Sequence, residues 1–166
     1  VDGLKTGYTD AAGFCLVSTA QRDVPNLGKR RLLSIVLGTA SENARANESQ
    51  KLLNWGYTAF DAVKLFDGGQ AMETPEIWKG AQDTAKIGSH SPVYLTLPTG
   101  MAGQVSTVIE RADPLIAPLQ LDQSVGMLKV SVGGQVLKEV PVVALESVEE
   151  AGFFGRMWDS MRLWIK

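Results

Sequence analysis

The hydrophobic pattern changes period once along this chain, and that change limits the architecture more than any other feature. Up to residue 62 the chain reads strand, strand, strand, helix. Leu4–Thr9 is bounded by Gly3 and Asp10, Gly13–Gln21 is an apolar run, and Arg31–Leu37 follows the turn residues Pro25, Asn26 and Gly28. Connections this short favour antiparallel pairing. Ser41 is a fitting N-cap, with Glu42 in the first turn, for a helix predicted to run to about Ala62. Leu52, Leu53, Gly56, Phe60 and Val63 recur at helical spacing and predict one buried face. From Val63 onward the period is two. Val93–Leu97, Val125–Val132 and Val136–Leu145 read as short strands, with Gly133-Gly134 as a tight hairpin turn. Strands at this spacing predict a small all-β sandwich or barrel of about 85 residues. The fold class is therefore α+β.

Composition narrows the function classes. Of 166 residues, 45% are hydrophobic and 20% charged, which excludes a disordered chain. Sixteen Lys and Arg against eighteen Asp and Glu give a net charge of −2, which argues against nucleic acid as a partner. Charge is uneven, at +1 over residues 1–62, −5 over 63–151 and +2 over 152–166. A single cysteine, Cys15, permits no internal disulfide, and a single histidine, His90, argues against a metal site. No cofactor is expected. No apolar run approaches the roughly 18 residues that span a bilayer. The chain opens on Val1-Asp2-Gly3, without an initiator Met or a signal peptide, and runs straight into strand-like sequence. It is expected to be the C-terminal portion of a longer protein.

Lys5-Thr6-Gly7 lies on the first strand. As a bare tripeptide it reads first as a solvated turn. Its surroundings change that reading. The string from Val1 to Gly13, Val-Asp-Gly-Leu-Lys-Thr-Gly-Tyr-Thr-Asp-Ala-Ala-Gly, resembles a segment of the low-molecular-mass penicillin-binding proteins, the D-alanyl-D-alanine carboxypeptidases of the penicillin-binding protein 5 and 6 type. Ser49-Gln50-Lys51-Leu52-Leu53-Asn54-Trp55-Gly56 is similar to the last helix of their catalytic domain. The β-rich block and the Phe153-Phe154-Gly155 entry to a terminal helix match in order and spacing.

The resemblance implies a periplasmic serine carboxypeptidase that removes the terminal D-Ala from peptidoglycan pentapeptides and is acylated by β-lactams. It divides the chain into the end of a serine β-lactamase-like catalytic domain (1–62), a β-rich domain (63–151) and a membrane-anchor helix (152–166). It implies that the Lys5 ammonium shapes the field at the nucleophile, that the Thr6 hydroxyl binds the substrate carboxylate, and that Gly7 lets a peptide approach the strand edge. Tyr8 would offer a backbone donor to an oxyanion hole. Arg45 matches an arginine that helps hold the terminal carboxylate, a task suited to a guanidinium. Read without the family, Arg45 is an exposed arginine in a first helical turn.

One signature is missing. No Ser-x-x-Lys occurs in the 166 residues, so the acylated serine is absent and this chain alone is expected to be inactive. Ser41-Glu42-Asn43 fits a Ser-x-Asn triplet formally, but the family places that triplet before Lys-Thr-Gly, so it reads as a helix cap. Cys15 reads as a buried small hydrophobe, His90 as an exposed loop residue, and Trp55 and Trp78 as packing residues.

At 100° per residue, Phe153, Phe154, Met157, Trp158, Met161, Trp164 and Ile165 fall within roughly 140° of arc. Fifteen helical residues reach about 22 Å, too short to cross a bilayer but suited to lying at the inner-membrane surface. Packing of that face on the β-domain is the competing reading. The rival for the chain as a whole is a non-catalytic envelope binding or spacer module with a membrane-associating helix. A β-lactamase would share Lys-Thr-Gly but not the β-domain and terminal helix. Exposed strand edges in the truncated chain are expected to favour self-association.

Overall fold

The computed structural model describes residues 1–25 and 27–152. The chain forms two compact units, one of Val1–Val63 with Thr96–Ala102, the other of Lys64–Leu95 with the chain from Gly103 onward.

The first unit is built on a three-stranded antiparallel sheet of β1 (Leu4–Thr9), β2 (Gly13–Val24) and β3 (Gly28–Thr39), in that spatial order. A turn closed by the Thr9 side chain, which accepts from the Ala12 N–H at 3.0 Å, joins β1 to β2. Side chains alternate across a strand, and Ser18 and Ser34, directly opposite in register, both bond to Ser49 of α1 (Glu42–Ala59). Their face therefore meets the helix, and Ala20 and Val36 are buried on it. The opposite face of β3 shows an apolar row to solvent, with Leu33 58%, Ile35 57% and Leu37 69% exposed.

Helix α1 starts as the sequence predicts. The Ser41 Oγ accepts from the Ala44 N–H at 3.1 Å, satisfying a donor that the first turn leaves open. Its end differs from the expected Ala62. Phe60 is already extended (φ −131°, ψ 134°) and begins β4 (Phe60–Phe66), so Phe60 and Val63 are strand residues. The buried stripe accordingly runs through Ser49 and Leu53, and Leu52 and Trp55 turn outward. Arg30 of β3 donates to the Phe60 carbonyl at 2.8 Å and the Gly56 carbonyl at 3.3 Å. The Tyr57 hydroxyl donates to the Ala20 carbonyl at 2.6 Å.

The remaining strands are β5 (Ala71–Glu73), β6 (Ile77–Trp78), β7 (Ile87–Gly88), β8 (Val93–Pro98), β9 (Val105–Arg111), β10 (Leu115–Ile116), β11 (Ser124–Val132) and β12 (Gln135–Ala144). Strands β4 and β8 form a two-stranded sheet, and the division between the units falls within both. The second unit contains an antiparallel sheet ordered β5-β7-β12-β11-β9 and a parallel β10-β6 pair. Its core includes Ile87, Leu128, Val130, Val142, Ala144 and Val148, none more than 1% exposed. Gly133 (φ 57°) and Gly134 (φ 86°) both sit left-handed between β11 and β12, the conformation of the hairpin turn predicted there. At Gly126, beside a register shift in β11, a Cβ would stand 2.5 Å from the Glu110 carbonyl oxygen, so the strand tolerates only glycine.

Candidate functional site

Lys5, Thr6, Gly7 and Tyr8 lie together on β1, an edge strand whose residues are all exposed. Register sets Lys5 opposite Val17, Thr6 opposite Leu16, Gly7 opposite Cys15 and Tyr8 opposite Phe14. The Lys5 Nζ donates to the Thr6 carbonyl at 2.7 Å, which lays the ammonium along its own strand. The Tyr8 and Phe14 rings meet at 4.3 Å. The Tyr8 hydroxyl donates to Asp10 at 2.7 Å, and this bond, more than burial, raises its pKa from the usual 10.0.

Gly7 is the informative position. Its φ is not in the left-handed region, and an added Cβ would meet only the Cys15 Cβ, at an ordinary 3.8 Å. Neither backbone conformation nor packing among the described residues requires glycine here. The missing side chain leaves the strand surface beside Cys15 uncovered.

The fold brings Arg45 to this strand from 38 positions away, its Nη1 donating to the Gly7 carbonyl at 3.4 Å. The side chain is 13% exposed. Glu42 accepts from Nη2 at 3.1 Å, and the guanidinium lies 5.6 Å from the Phe14 ring centroid. Two of its five N–H donors are thus engaged among the described residues. Alternation sets Thr6 on the face of Tyr8, the ring partner of Phe14, and therefore on the face Arg45 occupies. The same alternation sets Lys5 and Gly7 on the other face. A hydroxyl and a guanidinium thus share one face of the edge strand and the ammonium lies on the other, groups suited to an extended, anionic ligand paired along that edge.

Sequence reasoning missed the groups that brace this strand. Asp2 accepts from Arg31 at 2.6 Å and from Thr19 at 3.0 Å, and the Asp2 N–H donates to the Thr19 carbonyl at 2.9 Å. The Arg31 bond, then the Thr19 bond, holds the Asp2 carboxyl below its ordinary 3.8. No charge pattern announces this pair, which lies 29 residues apart. Ser49 is buried one turn beyond Arg45 on the same helical face, a placement the residue pattern alone does not reveal.

The other singled-out residues fall elsewhere. Ser41 acts as the helix cap. Cys15 is half-buried, because its edge-side neighbour Gly7 has no side chain to cover it. His90 is exposed and pairs with Asp122. Trp55, expected to pack in a core or at a domain junction, is 59% exposed and outside the core, with its ring edge-on to Phe60 at 5.2 Å. No cluster of three His, Cys, Asp or Glu side chains could hold a metal among the described residues, and no described helix is long and apolar enough to cross a membrane. The predicted membrane face, Phe153, Phe154, Met157, Trp158, Met161, Trp164 and Ile165, lies outside the described residues.

Comparison with known proteins gives a consistent picture. Residues 60–150 match the family model "Penicillin-binding protein 5, C-terminal domain". The D-alanyl-D-alanine carboxypeptidase DacA of Escherichia coli is 37% identical over 164 residues, covering 98% of this chain and 40% of that protein. DacC of the same organism is 36% identical over 160 residues, covering 96% of this chain and 39% of that protein. Crystal structures of penicillin-binding protein 5 from Haemophilus influenzae superpose with a TM-score of 0.75 at 29% identity, covering 89% of this chain and 42% of that one. The chain spans about two fifths of the length of the curated relatives it matches. With more than half of its residues inside the matched model, the chain belongs to the penicillin-binding protein 5 C-terminal domain family and is related to the D-alanyl-D-alanine carboxypeptidases.

Proposed function

We propose that this chain is the C-terminal portion of a serine-type D-Ala-D-Ala carboxypeptidase that trims the terminal D-Ala from peptidoglycan pentapeptides in the periplasm and is acylated by penicillins. The relatives' names supply the activity. The observation that carries it to these residues is the meeting of Arg45 with the Lys5-Thr6-Gly7 strand, at a glycine that packing does not demand. The substrate's C-terminal D-Ala would lie along β1, its carboxylate held by the Thr6 hydroxyl and the Arg45 guanidinium. The Lys5 ammonium would supply positive field toward the scissile carbonyl, and the Tyr8 N–H would donate to the oxyanion. The attacking serine would come from the rest of the parent protein.

In this reading residues 1–62 complete a larger catalytic domain, and the solvent-facing row of Leu33, Ile35 and Leu37 supports it. Residues 63–151 form a separate β-rich domain. Residues 152–166 attach the protein peripherally to the inner membrane, a role supported by their apolar pattern, one-sided except for Leu163, and by Arg156, Arg162 and Lys166 outside that face. Deleting them should abolish sedimentation with anionic liposomes. Liposome binding by the truncated protein would remove the anchor reading.

A fluorescent penicillin tests the catalytic assignment. It should label the full-length parent and leave the isolated 166-residue chain unlabelled. In the parent, Lys5→Ala should slow acylation on the order of 10²-fold or more, and Thr6→Ala roughly tenfold. Unchanged acylation in both variants, or stable labelling of the isolated chain, would overturn the assignment and favour a non-catalytic module.

A further inference from the structure

We propose that the buried hydroxyl cluster of Ser18, Ser34 and Ser49 is a positioning device for Arg45, fixing the phase of α1 on the sheet so that the guanidinium arrives at Gly7. The inference rests on the reading of Arg45 as a carboxylate ligand and adds residues that touch no substrate.

The three serines come from three elements and are almost fully enclosed, at 2%, 5% and 3% exposure. Their oxygens stand 2.9 Å (Ser18–Ser34), 2.5 Å (Ser18–Ser49) and 2.6 Å (Ser34–Ser49) apart. Each hydroxyl has one proton and accepts readily. Three protons therefore serve three edges, every group donates once and accepts once, and no polar atom is stranded.

Such a ring closes in only one placement of the helix. Ser18 and Ser34 face each other across the β2–β3 ladder, so Ser49 must stand over that one pair. Moving the helix by one residue rotates it about 100° and lifts it about 1.5 Å. That shift would set Glu48 or Gln50, each longer than serine, over Ser18 and Ser34, where the three-membered ring cannot close, whereas a purely hydrophobic seam tolerates sliding.

Arg45 lies one turn before Ser49 on the same face, about 6 Å along the axis. Its other partners fix it poorly against the sheet. Glu42 rides on the same helix, and the Phe14 ring contact at 5.6 Å is loose. The helix has further polar anchors at its far end, where the Tyr57 hydroxyl bonds the Ala20 carbonyl, Arg22 bonds the Asn54 side chain at 2.7 Å and Arg30 bonds the Gly56 carbonyl. Without Ser49 the nearest of these anchors to Arg45 is Asn54, nine residues or about 14 Å along the axis. The bond from the Thr39 hydroxyl to the Ser41 carbonyl ties only the start of the helix to β3, so the turn that carries Arg45 can shift on the sheet.

The test uses the full-length parent and two peptide substrates, one ending in a free carboxylate and one with that carboxylate amidated. Ser49→Ala should raise KM for the free-carboxylate peptide roughly two- to tenfold, with kcat held and the amidated peptide little affected. A merely structural loss would instead lower kcat for both peptides alike. Arg45→Ala should remove the preference for the carboxylate, and adding Ser49→Ala to it should change nothing more. If Arg45→Ala loses the preference while Ser49→Ala keeps wild-type KM, the positioning role is overturned and the reading of Arg45 stands. If Arg45→Ala keeps the preference, both fall. Should Ser49→Ala fail to fold, Ser18→Ala, which leaves the Ser34–Ser49 bond, carries the same test with a smaller expected rise in KM. No rise there would equally overturn the proposal.

Discussion

The second unit builds a buried core of its own, although Val108 and Leu121 stay more than half exposed, whereas the first buries few of its apolar residues. Among the described residues, fifteen of the nineteen buried hydrophobic side chains belong to the second unit, and four, Ala20, Val36, Leu53 and Leu97, to the first. Leu4, Leu33, Ile35 and Leu37 of the first unit are each more than half exposed. A sheet with α1 on one face and solvent on the other has half a core. The candidate site sits on this less complete unit, at its free edge strand. The lesson is that the candidate strand β1 is braced by point contacts, namely Asp2 to Arg31 and Arg45 to Gly7, more than by burial.

The largest effect should come from separating the regions. Residues 64–151 alone should unfold cooperatively on heating, with slow amide exchange in β11 and β12. Residues 1–62 alone should show neither property. Equal protection of both regions in a monomer of the whole chain would break the contrast. Next in size, Leu128→Ala should destabilise the second unit by about 2–5 kcal/mol in denaturant titration, since Leu128 is 1% exposed. In the first unit Ile35→Ala, at 57% exposure, should change stability by no more than about 0.5 kcal/mol in this chain. A large loss there would mean that the row is covered in solution. Ser41→Ala should cost about 1 kcal/mol by removing the cap of α1.

Acid supplies the smallest and most local effect. The folded pKa of Asp2 is depressed, so its contribution is complete above the ordinary 3.8 and is lost as pH falls through the lower folded value. Exchange in the first half of β1 should therefore rise relative to β2 below about pH 4, and Asp2→Asn should remove that dependence. An identical acid response in the Asn variant would show that Asp2 does not hold the strand.

Much of the fold was legible where local chemistry alone decides. Strand β1 has the predicted ends because Gly3 and Asp10 bound it. Strands β2 and β3 run longer than their apolar cores because the ladder continues through Gln21, Arg22 and Asp23 against Arg31, Arg30 and Lys29, polar residues that carry no strand signal. Strands β5, β6, β7 and β10 were invisible, since ladders of two or three residues depend on partners distant in sequence. At the site, the Lys-Thr-Gly string was readable as a motif. Its braces were not, because Asp2–Arg31 and the three serines exist only once the strands are in register.

Arg30 has one more consequence, for the order in which the first unit assembles. Aligned peptide dipoles leave the C-terminal end of a helix partly negative, and a cation there is stabilising. Helix α1 carries no basic residue in its last turn, and Arg30 supplies that charge from β3 through the Gly56 and Phe60 carbonyls. A helix in a protein draws most of its stability from tertiary packing. The last turn of α1 should therefore stay frayed until the β2–β3 hairpin has formed beside it, which makes hairpin closure the step that sets how fast this unit assembles.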